Sequence, residues 1–329
     1  MARFFEPEEI GDSILTERVS VIGFGNQGHA HALNLRDSGA SVKVGLPEGA
    51  RRRPAALESG FEVLTTEEAV AGASLVMVCA PDKAIPQAYR ESIEPHLQPG
   101  AALLFCHGYH VHFGTVPLPT GVDVGLVAPS GPGVSLRDLY ARGMGMPCLV
   151  AVAQDATGTA WNRVTSYAAA IGCGRAAIIE STFQEETETD LFGEQAVLVG
   201  GLMTFIRAGY ETLVKAGYQP EVAYFECVHQ VAMLAGMIQR NGIGGMLAGI
   251  SDTAGYGALV AQSRLDTTLL RGGMQDLLSD VRSGRFHREW QSQIRAGTPK
   301  LQDGIAEELA SDLQQVGDEL RARMPFLRN

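Results

Sequence analysis

Short runs of consecutive apolar residues alternate with stretches of helical spacing as far as Ser181, and beyond it the alternation stops. Residues 18–24, 41–46, 62–64, 74–80, 101–105, 122–128, 147–153 and 175–179 read as strands, with helical patterns between them at 29–35, 66–71, from Lys83 and at 158–171. Strands that stay apolar at successive positions are covered on both faces, which predicts a doubly wound parallel sheet flanked by helices. From residue 182 to the end the apolar spacing is helical throughout: 190–209, 210–216, 220–240, 243–262, 265–283, 285–296 and 303–324. A chain of 329 residues is long for a single core. The pattern therefore predicts an α/β domain over 1–181 and an all-α domain over 182–329.

The first strand runs into Gly23-Phe24-Gly25-Asn26-Gln27-Gly28, and a helix follows. Strand, glycine turn and helix are the context in which G-x-G-x-x-G binds a dinucleotide: a tight turn, bare backbone for the pyrophosphate and a helix N-terminus aimed at it. The α/β domain is thus Rossmann-type. Near the end of the second strand the ribose is read, and Pro47-Glu48-Gly49-Ala50-Arg51-Arg52-Arg53 carries two signals. Guanidinium groups at Arg51, Arg52 and Arg53 suit a 2′-phosphate and hence NADP, or simply solvate a helix start; Glu48 suits the free hydroxyl of NAD. Ala80 and Asp82, after the fourth strand, and Gly133, in the turn Pro129-Ser130-Gly131-Pro132-Gly133, fall on the same carboxyl edge and complete the expected cofactor contacts. His107 lies on that edge too, as a site residue or a structural hydrogen-bonder.

In the helical half, Glu185-Glu186-Thr187-Glu188-Thr189-Asp190-Leu191-Phe192-Gly193-Glu194 precedes an apolar segment. A helix capped by Thr187 or Thr189 would put Asp190 and Glu194 on one face. Two carboxylates turned inward from an apolar helix need a cation or protons to neutralise them, and the oxygen donors suit Mg²⁺; a solvated acidic helix start is the other reading. Glu226 and Gln230 are again four apart, and Glu226 in its apolar neighbourhood reads as a ligand or substrate contact or as a surface-facing acid.

Composition narrows the partners. Lys+Arg 26 against Asp+Glu 37 gives a net charge of −11, which disfavours nucleic acid and anionic membranes. Five scattered cysteines without a C-x-x-C pair read as reduced thiols of a cytoplasmic protein. The acidic N-terminus lacks the apolar core of a signal peptide, and apolar runs such as 231–238 fall short of the roughly 20 residues that span a bilayer.

The blocks 23–39, Cys106-His107-Gly108-Tyr109-His110-Val111-His112-Phe113-Gly114, 154–158, 185–198, Tyr224-Phe225-Glu226-Cys227-Val228-His229 and Ile250-Ser251-Asp252-Thr253-Ala254 closely resemble ketol-acid reductoisomerases of the short form, over essentially the whole chain. The resemblance implies a knotted, dimer-forming helical domain. It also implies an enzyme of branched-chain amino-acid synthesis that rearranges 2-acetolactate or 2-aceto-2-hydroxybutyrate on two Mg²⁺ ions and reduces the product with NADPH. By the same resemblance Asp190 bridges the metals, Glu194 binds one, and His107 lies near the nicotinamide. Glu226 and Ser251 reach the site from a second subunit, so a homodimer is the least assembly. Three positions depart from the family's pattern: Ser130 replaces a lysine, and Gln230 and Gly255 each replace a glutamate. Losing a preorganised cation typically costs about 3 to 4 kcal/mol of barrier, and an amide cannot titrate. The expectation is therefore a reductoisomerase, with two alternatives: a relative that reduces another keto acid or imine without alkyl migration, and an inactive dinucleotide-binding dimer.

Overall fold

The computed structural model describes residues 2–265 and 267–327; Asp266, within the segment expected at 265–283, lies outside them. The chain folds as two units, Met1–Thr189 and Asp190–Asn329.

In the first unit all eight expected strands form: β1 Arg18–Ile22, β2 Ser41–Gly45, β3 Val63–Leu64, β4 Leu75–Val78, β5 Ala102–Phe105, β6 Asp123–Pro129, β7 Cys148–Gln154 and β8 Ile178–Glu180. They make one sheet in the order β3-β2-β1-β4-β5-β6-β7-β8. Its helices are α1 Asn26–Asp37, α2 Arg53–Glu58, α3 Thr66–Ala71, α4 Ile85–Ala88, α5 Tyr109–His112, α6 Gly133–Ala141 and α7 Ala160–Ala170. Alternate residues of each central strand feed two cores. Leu75, Met77 and Leu104 pack with Leu35 of α1 and Tyr167 of α7, while Val76, Val78 and Phe105 pack with Val70 of α3 and Tyr89. Burial on both faces explains the unbroken apolar runs.

The expectation of an all-parallel sheet needs one correction: β7 runs antiparallel to β6, with Pro129 opposite Cys148. The nine-residue α6 packs on α1 and does not cross the sheet, so the chain re-enters at the edge it left. At the far edge Phe4 bridges Ile179, and the main chain of Arg3 and Phe5 bonds to that of Glu180 and Ile178, which covers an otherwise open strand.

The second unit takes up α8 Phe183–Gly193 in its last turn and continues with α9 Gly200–Lys215, α10 Pro220–Tyr224, α11 Val231–Ala248, α12 Asp252–Arg264, α13 Thr267–Arg282, α14 Arg285–Arg295, α15 Pro299–Leu309 and α16 Asp312–Ala322. The segment expected at 243–262 is broken at Gly249 and Ser251, and the one expected at 303–324 is two helices, because Ser251 and Ser311 cap new N-termini through Ala254 N and Gln314 N. Its small core joins Tyr210, Ala223, Tyr224 and Leu320. Asp312 accepts from the Tyr210 hydroxyl at 2.8 Å, and Arg321 donates to the Tyr224 hydroxyl at 2.7 Å.

Two π-helical turns, Glu194–Leu198 and Phe225–His229, interrupt these helices. Helical structure otherwise runs on from Phe183 to Lys215, and by length and composition this run could cross a membrane. Counting consecutive apolar residues misses it, because Gly, Thr and Arg are dispersed through the run.

Candidate functional site

The glycine turn leaves β1 where the strand order reverses between β1 and β4, the crevice where ligands of such sheets bind. Gly23 has φ +104°, and a Cβ there would lie 2.6 Å from the Cys79 carbonyl oxygen. A Cβ on Gly28 would lie 2.2 Å from Gly23 O, whereas one on Gly25 would point into open space. Gly25 precedes α1 and no side chain caps that helix, so its first amides are available to an anion. The surrounding residues are walls. Phe24 is buried edge-on to Phe61. Asn26 Oδ1 accepts from Val134 N at 2.9 Å, capping α6, and Gln27 Nε2 donates to Gly131 O at 3.0 Å. The buried Gln27 Oε1 has no partner among the described residues. Gly133 is required by proximity, since its Cβ would stand 2.1 Å from Asn26 O. Open glycine, uncapped helix and orphaned oxygen fit a dinucleotide.

On the β2–α2 loop Arg51, Arg52 and Glu48 are exposed. Arg53 corrects the expectation: its guanidinium donates to the carbonyls of Leu46, Val63 and Leu64 at 2.9 to 3.3 Å. It ties the ends of β2 and β3 together and is committed to the protein's own backbone.

After β4, Ala80 is half-buried, and Asp82 Oδ1 lies 3.9 Å from His110 Nε2. Partial enclosure raises the Asp82 carboxyl above its usual range; His107 opposes this and the negative charge of Glu186 adds to it. His107 follows β5, and its Nδ1 is 3.0 Å from Oε1 of Glu186 on α8. Glu186 is 4% exposed, and its other oxygen accepts from Gly108 N at 2.8 Å and from the Thr187 hydroxyl at 3.3 Å. A carboxylate accepts and does not donate, so Nδ1 carries the proton and the ring's Nε2 is the basic nitrogen. Gly108 is needed here because a Cβ would meet Glu186 Oε2 at 2.7 Å. Glu186 was not singled out from the sequence; its i−4 spacing from Asp190 was the available signal.

Helix α8 does not start at Thr187 or Thr189. It begins at Phe183, where Thr182 Oγ1 accepts from Glu185 N at 3.0 Å, so Thr187 is a buried mid-helix residue and Thr189 bonds back to Glu185 O. Asp190 lies near the end of α8, and Glu194 opens the π-helical turn. Both are exposed in the single chain, where neither turns into the interior. Glu226 lies in the second π-helical turn, and Gln230 Nε2 donates to its Oε2 at 2.9 Å. π-Helical turns insert a residue into a helix and are frequent at functional sites; each of these two holds an expected metal ligand. Among the described residues no cluster of three or more His, Cys, Asp or Glu is arranged to hold a metal. The oxygen-only set of Asp190, Glu194 and Glu226 is of the kind that suits a hard cation. Ser251 is the N-cap of α12, Gly255 lies in its first turn, and Ser130 is exposed with its amide bonded to Pro147 O at 2.9 Å.

Comparison with known proteins agrees with these motifs. Residues 13–177 match the NADPH-binding domain of acetohydroxy acid isomeroreductases, and 183–326 match the C-terminal domain of ketol-acid reductoisomerases. An NADH-preferring ketol-acid reductoisomerase from an uncultured archaeon superposes with a TM-score of 0.94 at 38% identity, over 97% of this chain and 98% of that one. A semialdehyde dehydrogenase NAD-binding protein from Cupriavidus necator (TM-score 0.60, 20% identity, 81% of this chain and 99% of that one) shares the fold. So does a pyrroline-5-carboxylate reductase from Coxiella burnetii (TM-score 0.59, 12% identity, 82% and 98%). With both family domains matched in order along nearly its whole length, the chain belongs to the ketol-acid reductoisomerases.

Proposed function

We propose that the chain is a Mg²⁺-dependent reductoisomerase that converts a 2-acetolactate-like acetohydroxy acid with NADPH, in branched-chain amino-acid synthesis, as a cytoplasmic homodimer or larger homo-oligomer. The observation that carries this reading is the His107–Glu186 pair at 3.0 Å, with Asp190 one turn beyond Glu186 on α8. When bound, two Mg²⁺ ions polarise neighbouring substrate oxygens and NADPH supplies hydride. Asp190, Glu194 and Glu226 hold the ions, and Gln230 orients the Glu226 carboxylate. Glu186 fixes the ring of His107 so that Nε2 takes or gives the proton at the substrate oxygen. Ser251 lies at a helix N-terminus suited to a substrate carboxylate.

Assembly is supported by exposed apolar surface. Val197, Leu198, Phe205, Met233, Ile243 and Tyr256 are all exposed within one chain, Leu198 at 65% and Tyr256 at 73%, and an apolar area of this kind calls for a partner. A second copy that covers it brings its own Glu226 and Ser251 to complete the metal and substrate site.

Ser130 and Gln230 favour a second reading, a reductase without alkyl migration. Purified protein assayed with NADPH, Mg²⁺ and either 2-acetolactate or the rearranged 3-hydroxy-2-keto acid separates the two. Turnover of both substrates is expected, and reduction of the second alone would select the other reading. Ser130→Lys combined with Gln230→Glu is expected to raise acetolactate turnover at least about tenfold, part of the effect of one restored transition-state donor; no gain would mean that these positions do not limit migration.

Cofactor preference is a separate matter. With Arg53 committed elsewhere, Arg51 and Arg52 are the guanidinium groups left to read a 2′-phosphate, while Glu48 and the NADH-preferring relative favour NADH. We assign NADPH as preferred and NADH as usable. Arg51→Ala with Arg52→Ala is expected to raise KM for NADPH about tenfold, the loss of roughly 1.4 kcal/mol of charge-assisted bonding, with KM for NADH unchanged. Equal KM values in the unmodified protein would contradict the assignment.

A further inference from the structure

A thiol, Cys79, packs against the glycine turn, and a second, Cys106, lies beside it on the next strand. Strands β4 and β5 are parallel and in register at Val78 and Phe105, so the next residues, Cys79 and Cys106, are neighbours across the strands. Both follow the alternation of Leu75, Met77, Ala102 and Leu104 and belong to the same core layer. Neighbouring strands are about 4.8 Å apart, inside the Cα separation of roughly 4.4 to 6.8 Å that a disulfide spans. The Cys106 thiol already reaches across, with Sγ 3.5 Å from Val78 O. Cys106 is part-exposed and Cys79 is buried. The hydrogen bond from Cys79, helped by the neighbouring His107 and opposed by burial and by the charges of Asp82 and Glu186, lowers the Cys106 thiol from its usual value, while Cys79 is raised.

We propose that Cys79 and Cys106 form a reversible disulfide that responds to hydroperoxides and weakens dinucleotide binding. Cys106 is the attacking thiol. Its sulfur displaces one oxygen of the hydroperoxide, an S–O bond forms as the O–O bond breaks, and hydroxide or an alkoxide leaves and is protonated. The Cys79 thiol then attacks the sulfenic sulfur, so that the S–S bond forms, the S–O bond breaks and water departs. The two thiols lose two electrons and the hydroperoxide gains them.

The link to the cofactor is steric. A Cβ on Gly28 would lie 3.2 Å from Cys79 Cβ, and Gly23 crosses the Cys79 carbonyl so closely that its own Cβ would be 2.6 Å away. Drawing the Cys79 side chain toward Cys106 moves the floor on which the turn rests, and Cys106 precedes His107 directly. Cys148 and Cys173 are fully buried, remote in sequence from both motifs, and serve as internal controls. The effect on affinity rests on the proposed cofactor reading; the disulfide does not.

The test treats the full-length protein with hydrogen peroxide, alkylates the remaining thiols under denaturing conditions and maps them by mass spectrometry, with NADPH affinity measured before and after. The expected result is a linked Cys79–Cys106 peptide pair lighter by two hydrogens, with Cys148 and Cys173 still alkylated. The NADPH Kd should rise about tenfold, within the usual range of coupling between sites, and return on reduction with dithiothreitol. Cys106→Ser should show neither change, and Cys79→Ala, checked for folding by circular dichroism, should stop at the sulfenic acid. Recovery of both cysteines alkylated, at peroxide doses that oxidise exposed methionines, would overturn the proposal, as would a linked pair with unchanged Kd. A linked pair in a protein that binds no dinucleotide when reduced would overturn the cofactor reading and leave the disulfide standing.

Discussion

Asp190→Asn is expected to lower turnover of 2-acetolactate by about 10³-fold at saturating Mg²⁺ and NADPH, about 4 kcal/mol of barrier. The substitution keeps the shape of the side chain and removes its charge. A neutral amide oxygen is a poor ligand for a hard divalent cation, and the residue expected to bridge two ions is the one whose loss misplaces both. NADPH affinity, measured by fluorescence without Mg²⁺, should stay within about twofold of the parent, because the dinucleotide cradle belongs to the first unit. Raising Mg²⁺ should not restore turnover. An Asp190→Asn enzyme within threefold of the parent would remove this side chain from the proposed metal site.

The second large effect is on acid stability. His31 is fully buried in α1, its Nδ1 is 2.9 Å from the Tyr167 hydroxyl, and its Nε2 has no hydrogen-bond partner among the described residues. Burial pushes it down to about 3, from 6.5 in the unfolded chain. The unfolded chain therefore takes up a proton as pH falls below 6.5 and the native state does not, so the stability is complete above that value and is lost as pH falls toward 3. At pH 5 the loss is about 2 kcal/mol. His29 and His112, lowered mainly by burial, act in the same direction. Urea unfolding at pH 7.5, 6 and 5 should show the decline, and His31→Gln, which does not titrate, should flatten it. A parent profile already flat across this range would contradict the account.

The strands were legible because burial on both faces writes an unbroken apolar run into each of them. The direction of β7 was not, because period identifies a strand and says nothing of which way the chain enters it; that depended on α6 packing on α1. The three arginines after β2 look alike in sequence, and only the carbonyls at the ends of β2 and β3 distinguish Arg53 from its neighbours. In the acidic block several Thr and Glu residues offered equally good caps, so the start at Thr182 and the hold of Glu186 on His107 emerged only with the backbone. The exposure of Asp190 and Glu194 has a related cause, since a sequence pattern marks a face to be covered without saying whether the same chain covers it.

The two π-helical turns of the second unit constrain how this chain can change in length. Each holds a residue more than a regular helix would carry over the same rise, so deleting one residue from 194–198 would leave a tidy α-helix with its flanks in place and would remove the widening that sets the direction of Glu194 relative to Asp190. Such a deletion would improve local geometry and still be expected to inactivate the enzyme. Shortening in this stretch should therefore be tolerated far less than substitution.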